Sequence, residues 1–271
     1  MIGLLDQDAF SKLKTKAIKE LFTSSEGVPL DYVVWAQADR RKSVQSLGQA
    51  YIRRQQKVLA ERKRIEGLYR YEDTFYDQGL LHVAGIDEVG RGPIAGPVTV
   101  AAVILPPHEY IGGLNDSKKV SPDKRERLYD EIMDKALAVS CVSYPPEEID
   151  RLNIYEATRQ AMYEAVAKLA IAADAVLIDA MPLPKLSMPC QSIIKGDSKS
   201  ANIAAASIIA KVTRDRYMAS LEVDYPGYGF GDHKGYYTTQ HKQALLDMGV
   251  TPLHRKSFEP IKSIIEGRPF K

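Results

Sequence analysis

The chain has 271 residues, with 37 Lys plus Arg against 35 Asp plus Glu and a formal net charge of +2. Its 45% hydrophobic and 27% charged content is ordinary globular composition, which excludes a disordered or fibrous protein. The length fits one large domain, or a domain of about 200 residues with an appendage. Two cysteines, Cys141 and Cys190, without CxxC or Cys/His spacing argue against a disulfide scaffold and a structural zinc site, and suit a reducing cytosol. Met1 to Phe10 carries two Asp and lacks the basic and apolar regions of a signal peptide. Val98 to Leu105 and Ala170 to Met181 are too short or too interrupted to span a bilayer. A cytoplasmic chain with no membrane association is expected.

The near-neutral total hides an asymmetry. Residues 1–70 carry 14 basic and 8 acidic side chains, and residues 71–271 carry 23 and 27. Asp39 to Arg70 alone holds 10 basic and 3 acidic residues. A basic appendage on a mildly acidic body suits nucleic acid, although a solvated helical face explains the same charges.

In chain order, Asp8 to Phe22 has Phe10, Leu13, Ala17, Leu21 and Phe22 on one side, an amphipathic helix pattern. Ser24-Ser25-Glu26-Gly27 breaks it, and Pro29-Leu30-Asp31 begins another element. Ser43 to Tyr71 lacks Pro and is rich in helix formers, so a long helix is expected there. The pattern changes after Asp77-Gln78-Gly79, which places a boundary near 70–80. A basic helical extension over 1–75 and a main domain over 76–271 are therefore expected.

Leu81 to Ile86 and Val98 to Leu105 read as paired strands joined by the Gly/Pro-rich Gly90 to Pro97. A helix should start at Ser121-Pro122-Asp123, with Ser as N-cap and Pro in the first turn. Ala136 to Tyr144 is a strand and Asn153 to Ala172 a helix. Ala175 to Asp179 is a buried strand, Gln191 to Lys195 a shorter one, and Ser198 to Val223 a long Ala/Ile-rich helix. The class is α/β, a mixed five-stranded sheet flanked by helices.

Asp87 and Glu88 end the first strand, Asp179 ends the fourth, and Asp197 follows the fifth. Ligand sites in α/β sheets gather at such strand ends. Carboxylates converging there repel one another unless a hard divalent cation neutralises them. Two such ions about 3.5–4 Å apart can activate water and stabilise a leaving oxygen in phosphodiester cleavage. Each acid taken singly has a plainer account. Asp197 could cap the next helix, Asp179 could cap a turn, and strand alternation sends Asp87 and Glu88 to opposite faces unless the strand bends. Together they favour a metal site. Gly90-Arg91-Gly92-Pro93 follows the acid pair directly, where two glycines permit close backbone approach and Arg supplies a planar fork for phosphate. A tight hairpin loop is the alternative.

The run Ala84-Gly85-Ile86-Asp87-Glu88-Val89-Gly90-Arg91-Gly92-Pro93-Ile94-Ala95-Gly96-Pro97-Val98 resembles the signature of ribonuclease HII, the bacterial type 2 ribonuclease H. Asn115-Asp116-Ser117-Lys118-Lys119, Leu177-Ile178-Asp179, Lys195-Gly196-Asp197, Ala204 to Asp215, His233-Lys234-Gly235-Tyr236 and His254-Arg255-Lys256-Ser257-Phe258 follow in the family's order. The resemblance implies a ribonuclease H-like fold whose catalytic and metal-binding acids are Asp87, Glu88, Asp179 and Asp197. It implies Mg²⁺- or Mn²⁺-dependent cleavage 5′ of a ribonucleotide, leaving 3′-hydroxyl and 5′-phosphate ends, in RNA·DNA hybrids and ribonucleotide-containing duplex DNA. Gly90, Arg91, Gly92 and Tyr236 correspond to the family's junction-reading positions. Only the 2′-hydroxyl separates RNA from DNA at one nucleotide, and a close backbone can hydrogen-bond it.

Lys118 and Lys211 are further candidates for phosphate contact. Arg214 lies within a turn of Lys211 and could face the duplex, with ion pairing as the competing account. Asp215 reads as an ion-paired helix residue. His233, His241 and His254 lack a zinc-binding spacing. The expected chain is a monomeric nuclease. Alternatives are a non-catalytic nucleic-acid-binding module on the same fold, and a metal-dependent nuclease indifferent to the 2′-hydroxyl.

Overall fold

Residues 5–24 and 27–268 are described by the computed structural model, so Met1–Leu4 of the expected leaderless start and Ser25 and Glu26 of the expected break lie outside it. The chain divides into two compact units, Met1–Arg64 and Ile65–Lys271.

In the first unit, α1 (Gln7–Lys12), α2 (Thr15–Thr23), α3 (Leu30–Ala38) and most of α4 (Lys42–Glu66) follow one another. The Asp6 carboxylate caps α1 by accepting the Ala9 N–H at 2.8 Å. The single helix expected over Asp8 to Phe22 is two, because Leu13 and Lys14 adopt extended backbone between α1 and α2. Folding the second turn back lets Phe10, Ile18, Phe22, Tyr32, Val33, Ala36 and Val44 share one small core. Arg41 fastens the break by donating to the Leu13 carbonyl at 2.6 Å while paired with Asp39. The Asp39 carboxyl is thereby held down to about 2. On α4, Arg53, Arg54, Lys57 and Lys63 remain exposed.

The second unit begins inside the expected long helix, which stops at Glu66. A 3₁₀ turn (Gly67–Tyr69) and α5 (Arg70–Tyr76) follow. Residues 65–76, grouped with the extension from sequence, pack in this unit: Ile65, Leu68 and Tyr69 join the largest core, and Phe75 joins a neighbouring one.

The mixed sheet comprises β1 (Val83–Val89), β2 (Val98–Ile104), β3 (Ala138–Tyr144), β4 (Ala175–Asp179) and β5 (Cys190–Ile193). Their order is β3-β2-β1-β4-β5, with β1–β2 and β2–β3 antiparallel and β1–β4 and β4–β5 parallel. Period-2 alternation divides β2 between the two faces. Ala101 and Val103 join α6 (Pro122–Lys135) and α9 (Ala201–Ser220), while Val100, Ala102 and Ile104 join α8 (Ile154–Ala167).

The helix expected over Asn153 to Ala172 is α8, which ends at Ala167, and a short α7 (Pro146–Leu152) outside that expectation precedes it. Asn153, at φ 67°, ends α7 and caps α8 by accepting the Tyr155 and Glu156 N–H groups. Ser121 stands at the N-cap of α6 with Pro122 in its first turn, but makes no side-chain capping bond. The chain closes with α10 (Phe230–His233), α11 (Thr239–Met248) and α12 (Ile261–Ile265).

Gly85 is what lets α9 lie directly on β1, since a Cβ there would overlap the Asn202 backbone. Asn202 fastens this close approach by accepting the Leu105 N–H at 2.8 Å. Below it, the buried Glu72 carboxylate on α5 accepts from the Ser200 hydroxyl at 2.6 Å and the Asn202 N–H at 3.0 Å.

Candidate metal centre

The register of two parallel strands builds the acid cluster. Ile86 on β1 lies opposite Ile178 on β4, so Asp87 and Asp179 stand one residue further along neighbouring strands. The 3₁₀ turn Gly196–Ser198 brings the third acid, Asp197. One ligand atom from each of Asp87, Asp179 and Asp197 falls within 4.8 Å of the others. Asp197 is not the cap of α9; Ser200 is, accepting the Ile203 N–H at 3.2 Å. Asp179 does not cap a turn of its own but accepts the Gly196 N–H at 2.8 Å.

Glu88 belongs to the same strand end but not to that three-acid cluster. The strand runs straight through to Val89, paired with Thr99, so the alternation that separates Asp87 from Glu88 is kept. Glu88 Oε1 accepts from Arg91 Nη1 at 3.3 Å, while its Oε2 is buried without a hydrogen-bond partner.

The electrostatics fit a cation. Burial, then the charges of Glu88 and Asp179, push the Asp87 carboxyl well above the usual range. Burial also raises Glu88, against the opposing pull of Arg91. Burial, then Asp116 and Asp179, lift Asp197 to about 6. Among the described residues none of the three clustered acids is in an ion pair with Lys or Arg. Converging, uncompensated carboxylates and an orphaned Glu88 oxygen are a hard-oxygen donor set of the kind Mg²⁺ or Mn²⁺ takes.

The Gly90 to Pro97 loop leaves the same strand end. Gly90 has φ 89° and Gly96 φ 82°, in the left-handed region that favours glycine. Tyr236, 48% exposed, lies beside it: a methyl carbon on Gly92 would sit 3.7 Å from the ring's Cε1. Lys118 is on the 3₁₀ turn Ser117–Lys119, and its charge acts on both Glu88 and Asp197. Lys211 is placed differently. Its Nζ meets Asp215 at 2.8 Å, within a cavity of about 480 Å³ also lined by Arg125, Arg216 and Lys234. Asp215 is also 3.5 Å from Arg125. Arg214 does not face outward: it is 1% exposed and bonded to backbone carbonyls.

Reading by residue type missed several participants. Asp116 raises the Asp197 carboxyl, and Ser207, which donates to Ser117 at 2.9 Å, lies close enough to Asp87 to lower its carboxyl. Asp116 and Ser117 were visible only as parts of a motif. Ser207 likewise was visible only within the Ala204 to Asp215 run, as one small residue in an Ala/Ile-rich helix.

These features define a metal-dependent nuclease of the ribonuclease H-like class. The solved ribonuclease H2 from Pyrococcus horikoshii OT3 superposes at a TM-score of 0.60 with 26% identity, covering 69% of this chain and 98% of that one. Ribonuclease HII in the PCNA complex from Archaeoglobus fulgidus gives 0.55 and 26%, covering 66% and 96%. A family model described as Ribonuclease HII matches residues 84–261, and one described as Ribonuclease HII N-terminal domain matches residues 14–76. The Ribonuclease HII of Bacillus mycoides (strain KBAB4) is 54% identical over 84% of this chain and 88% of its own length. The chain belongs to the ribonuclease HII family and is a metal-dependent ribonuclease H hydrolase. Among the described residues, no helix is long and apolar enough to cross a membrane.

Proposed function

We propose that the chain hydrolyses the phosphodiester 5′ of ribonucleotides, in RNA·DNA hybrids and at single ribonucleotides embedded in duplex DNA, leaving 3′-hydroxyl and 5′-phosphate ends. Its cellular role on this reading is ribonucleotide removal from DNA during replication and repair. The observation that carries it is the convergence of Asp87, Asp179 and Asp197 at the strand end from which Gly90-Arg91-Gly92 departs, with Tyr236 against Gly92.

In this reading Asp87, Glu88, Asp179 and Asp197 hold Mg²⁺ or Mn²⁺. A pair of such ions supplies Lewis acidity for water activation and for the leaving oxygen. The protein does the rest. Gly196 fixes Asp179 through its N–H, and the Glu88 N–H holds Asp87, with Ser207 beside it. The Gly90-Arg91-Gly92 backbone, exposed at Arg91 and Gly92, meets the 2′-hydroxyl, and the Tyr236 ring packs on the adjoining sugar, where a further hydroxyl would crowd it. Lys118, beside the acids, contacts a phosphate near the cut. Lys211 contacts one further away, in competition with its Asp215 pairing.

All these groups lie in one chain, which supports action as a monomer; sedimentation of the purified chain as a dimer would overturn that part. The A. fulgidus relative is described in a complex with PCNA. The decisive experiment maps cleavage on a duplex carrying one ribonucleotide, with and without Mg²⁺ or Mn²⁺. A single metal-dependent cut on the 5′ side is expected. No cut identifies a binding module, and equal cutting of an all-DNA duplex identifies a nuclease indifferent to the 2′-hydroxyl.

A further inference from the structure

Two arginines in the second unit are buried without an acidic partner. Arg214 on α9 is 1% exposed and Arg255, in the segment after α11, is 0% exposed, and neither takes part in an ion pair among the described residues. Burying a guanidinium this way is expensive unless its donors are satisfied. Here they are satisfied by one kind of acceptor, the main-chain carbonyl, and nearly all those carbonyls belong to one loop. Arg214 donates from Nε to Pro97 at 2.8 Å, from Nη2 to Ala95 at 3.2 Å, and from Nη1 to Lys234 at 2.9 Å. Arg255 donates from Nε to Gly96 at 3.0 Å, from Nη1 to Arg91 at 2.9 Å, and from Nη2 to Gly90 and Gly96.

The N–H groups of that loop are paired only in part. The N–H groups of Ile94 and Ala95 donate to the Gly235 carbonyl at 3.0 and 3.3 Å, and that of Gly96 donates to Leu253 at 2.8 Å. Pro93 has no N–H. The N–H groups of Gly90, Arg91 and Gly92 have no acceptor among the described residues, and of these three residues only Arg91 and Gly92 are exposed. A buried loop would not leave donors unmade. This loop spends its carbonyls inward and keeps two adjacent donors at the surface, beside Tyr236.

We propose that Arg214 and Arg255 are positioning residues: their guanidinium forks hold the carbonyls of residues 90–97 and 234 so that the Arg91 and Gly92 N–H groups stand ready for a ribose 2′-hydroxyl. The proposal rests on the reading of this loop given under Proposed function. The planar five-donor fork explains why both positions hold Arg, since Lys offers a point charge and cannot span three carbonyls in one plane. The space also depends on glycine, because a Cβ on Gly90 would collide with Arg214 Nε. Arg214 further couples the glycine loop to the turn before Tyr236 through Lys234, so one side chain sets the separation of the two reading elements.

The test uses Arg255→Lys and, from a different element, Arg214→Lys in the full chain. Both keep the charge and lose the fork, so electrostatic attraction to the duplex is retained. Three quantities are measured: kcat/KM on a duplex with one ribonucleotide, Kd for the matching all-DNA duplex, and cooperative melting. A variant that melts cooperatively is expected to lose about tenfold or more in kcat/KM, as for a misaligned hydrogen-bond pair, with all-DNA affinity within about twofold. Because the two arginines reach the loop from separate elements, either variant suffices if the other does not fold. Unchanged kcat/KM in a folded variant, or a proportional loss of all-DNA affinity, overturns the proposal while leaving the function intact. If the wild-type protein cuts the all-DNA duplex equally well, the loop does not read the 2′-hydroxyl and both readings fall together.

Discussion

Asp179 Oδ1 accepts the Gly196 N–H at 2.8 Å, so the end of β4 is joined directly to the turn that carries Asp197. The acid thus has two roles, one met by either carboxylate or amide and one that needs charge. Replacing it with Asn preserves an oxygen for Gly196 while removing a negative charge from the cluster. Asp179→Asn is therefore expected to fold, to lose cleavage to below detection, and to lose metal-induced stabilisation. Thermal melting with and without Mg²⁺ checks the last point, since a ligand that binds only the folded state raises its stability. Undiminished cleavage by the variant, or an unaltered Mg²⁺ shift, would remove Asp179 from the metal site.

Gly85 is the second test, because it governs how closely α9 approaches the sheet. A methyl group there would overlap the Asn202 backbone, which is rigid, so relief requires the helix to move. Overpacking of a close-packed core costs about 1–3 kcal/mol and sometimes more. Gly85→Ala is expected to lose at least that much in urea unfolding. Its residual folded fraction should also cleave poorly, because Ser200, Ser207 and the Asp197 turn move with the start of α9. Wild-type stability in this variant would show that the close approach is adjustable.

A third expectation concerns acid. His254 and His241 share a hydrogen bond at 2.9 Å between their Nε2 atoms, and the other bonds fix the tautomers. The Tyr236 carbonyl at 2.9 Å requires His241 Nδ1 to donate, and the Thr251 N–H at 2.9 Å requires His254 Nδ1 to accept. His254 Nε2–H is then the donor to His241 Nε2, and both rings are neutral. Burial holds both down to about 4, helped by the neighbouring imidazoles, including His233 stacked 4.3 Å from His241. Folded values below the ordinary 6.5 mean the neutral pair's stabilisation is full above about 6.5 and is lost as pH falls towards 4. Glu72 runs the other way: burial raises it to about 7, so its contribution weakens as pH rises from about 4.5 to 7. Comparing wild type with His241→Gln isolates the pair. The wild-type advantage in melting temperature should shrink from pH 7 to pH 4; a constant difference would show that the rings do not titrate in this window.

Strand legibility followed from composition. β2, β3 and β4 were readable as β-branched or apolar runs, and Asp87 on β1 and Asp179 on β4 stood out because charged residues interrupt otherwise apolar segments. Asp87 and Asp179 come together through a register that periodicity cannot supply, since it depends on which strands pair. The break at Leu13–Lys14 was hidden because both halves keep the same helical period, and α7 was left unassigned because its seven residues open on Pro145-Pro146 and are too short to show a helical period. Arg214 shows the opposite failure. Its charge suggested an outward face, whereas the acceptors that permit its burial are carbonyls, which every residue carries and no sequence pattern marks. The compact units divide at residues 64 and 65, inside the helix-forming pattern that runs on from α4, because Ile65, Leu68 and Tyr69 pack in the second unit's core.

That last point shapes the test of the basic extension. Deleting through residue 72 would remove Leu68 and Tyr69 from a core and Glu72 from beneath α9, so loss of binding could not be told from loss of fold. Neutralising exposed cations avoids this. Arg53, Lys57 and Lys63 are exposed on α4, so Arg53→Gln, Lys57→Gln and Lys63→Gln together change charge at little expected cost to stability. If these side chains meet phosphates, every phosphate left without its cation lowers the slope of log affinity against log salt by about 0.9. The triple variant should then bind an all-DNA duplex more weakly at low salt than wild type, and the two curves should converge as salt is raised. Titration by fluorescence anisotropy at several salt concentrations measures both quantities. An unchanged slope would assign the basic face of α4 to solvent or to a protein partner rather than to the duplex.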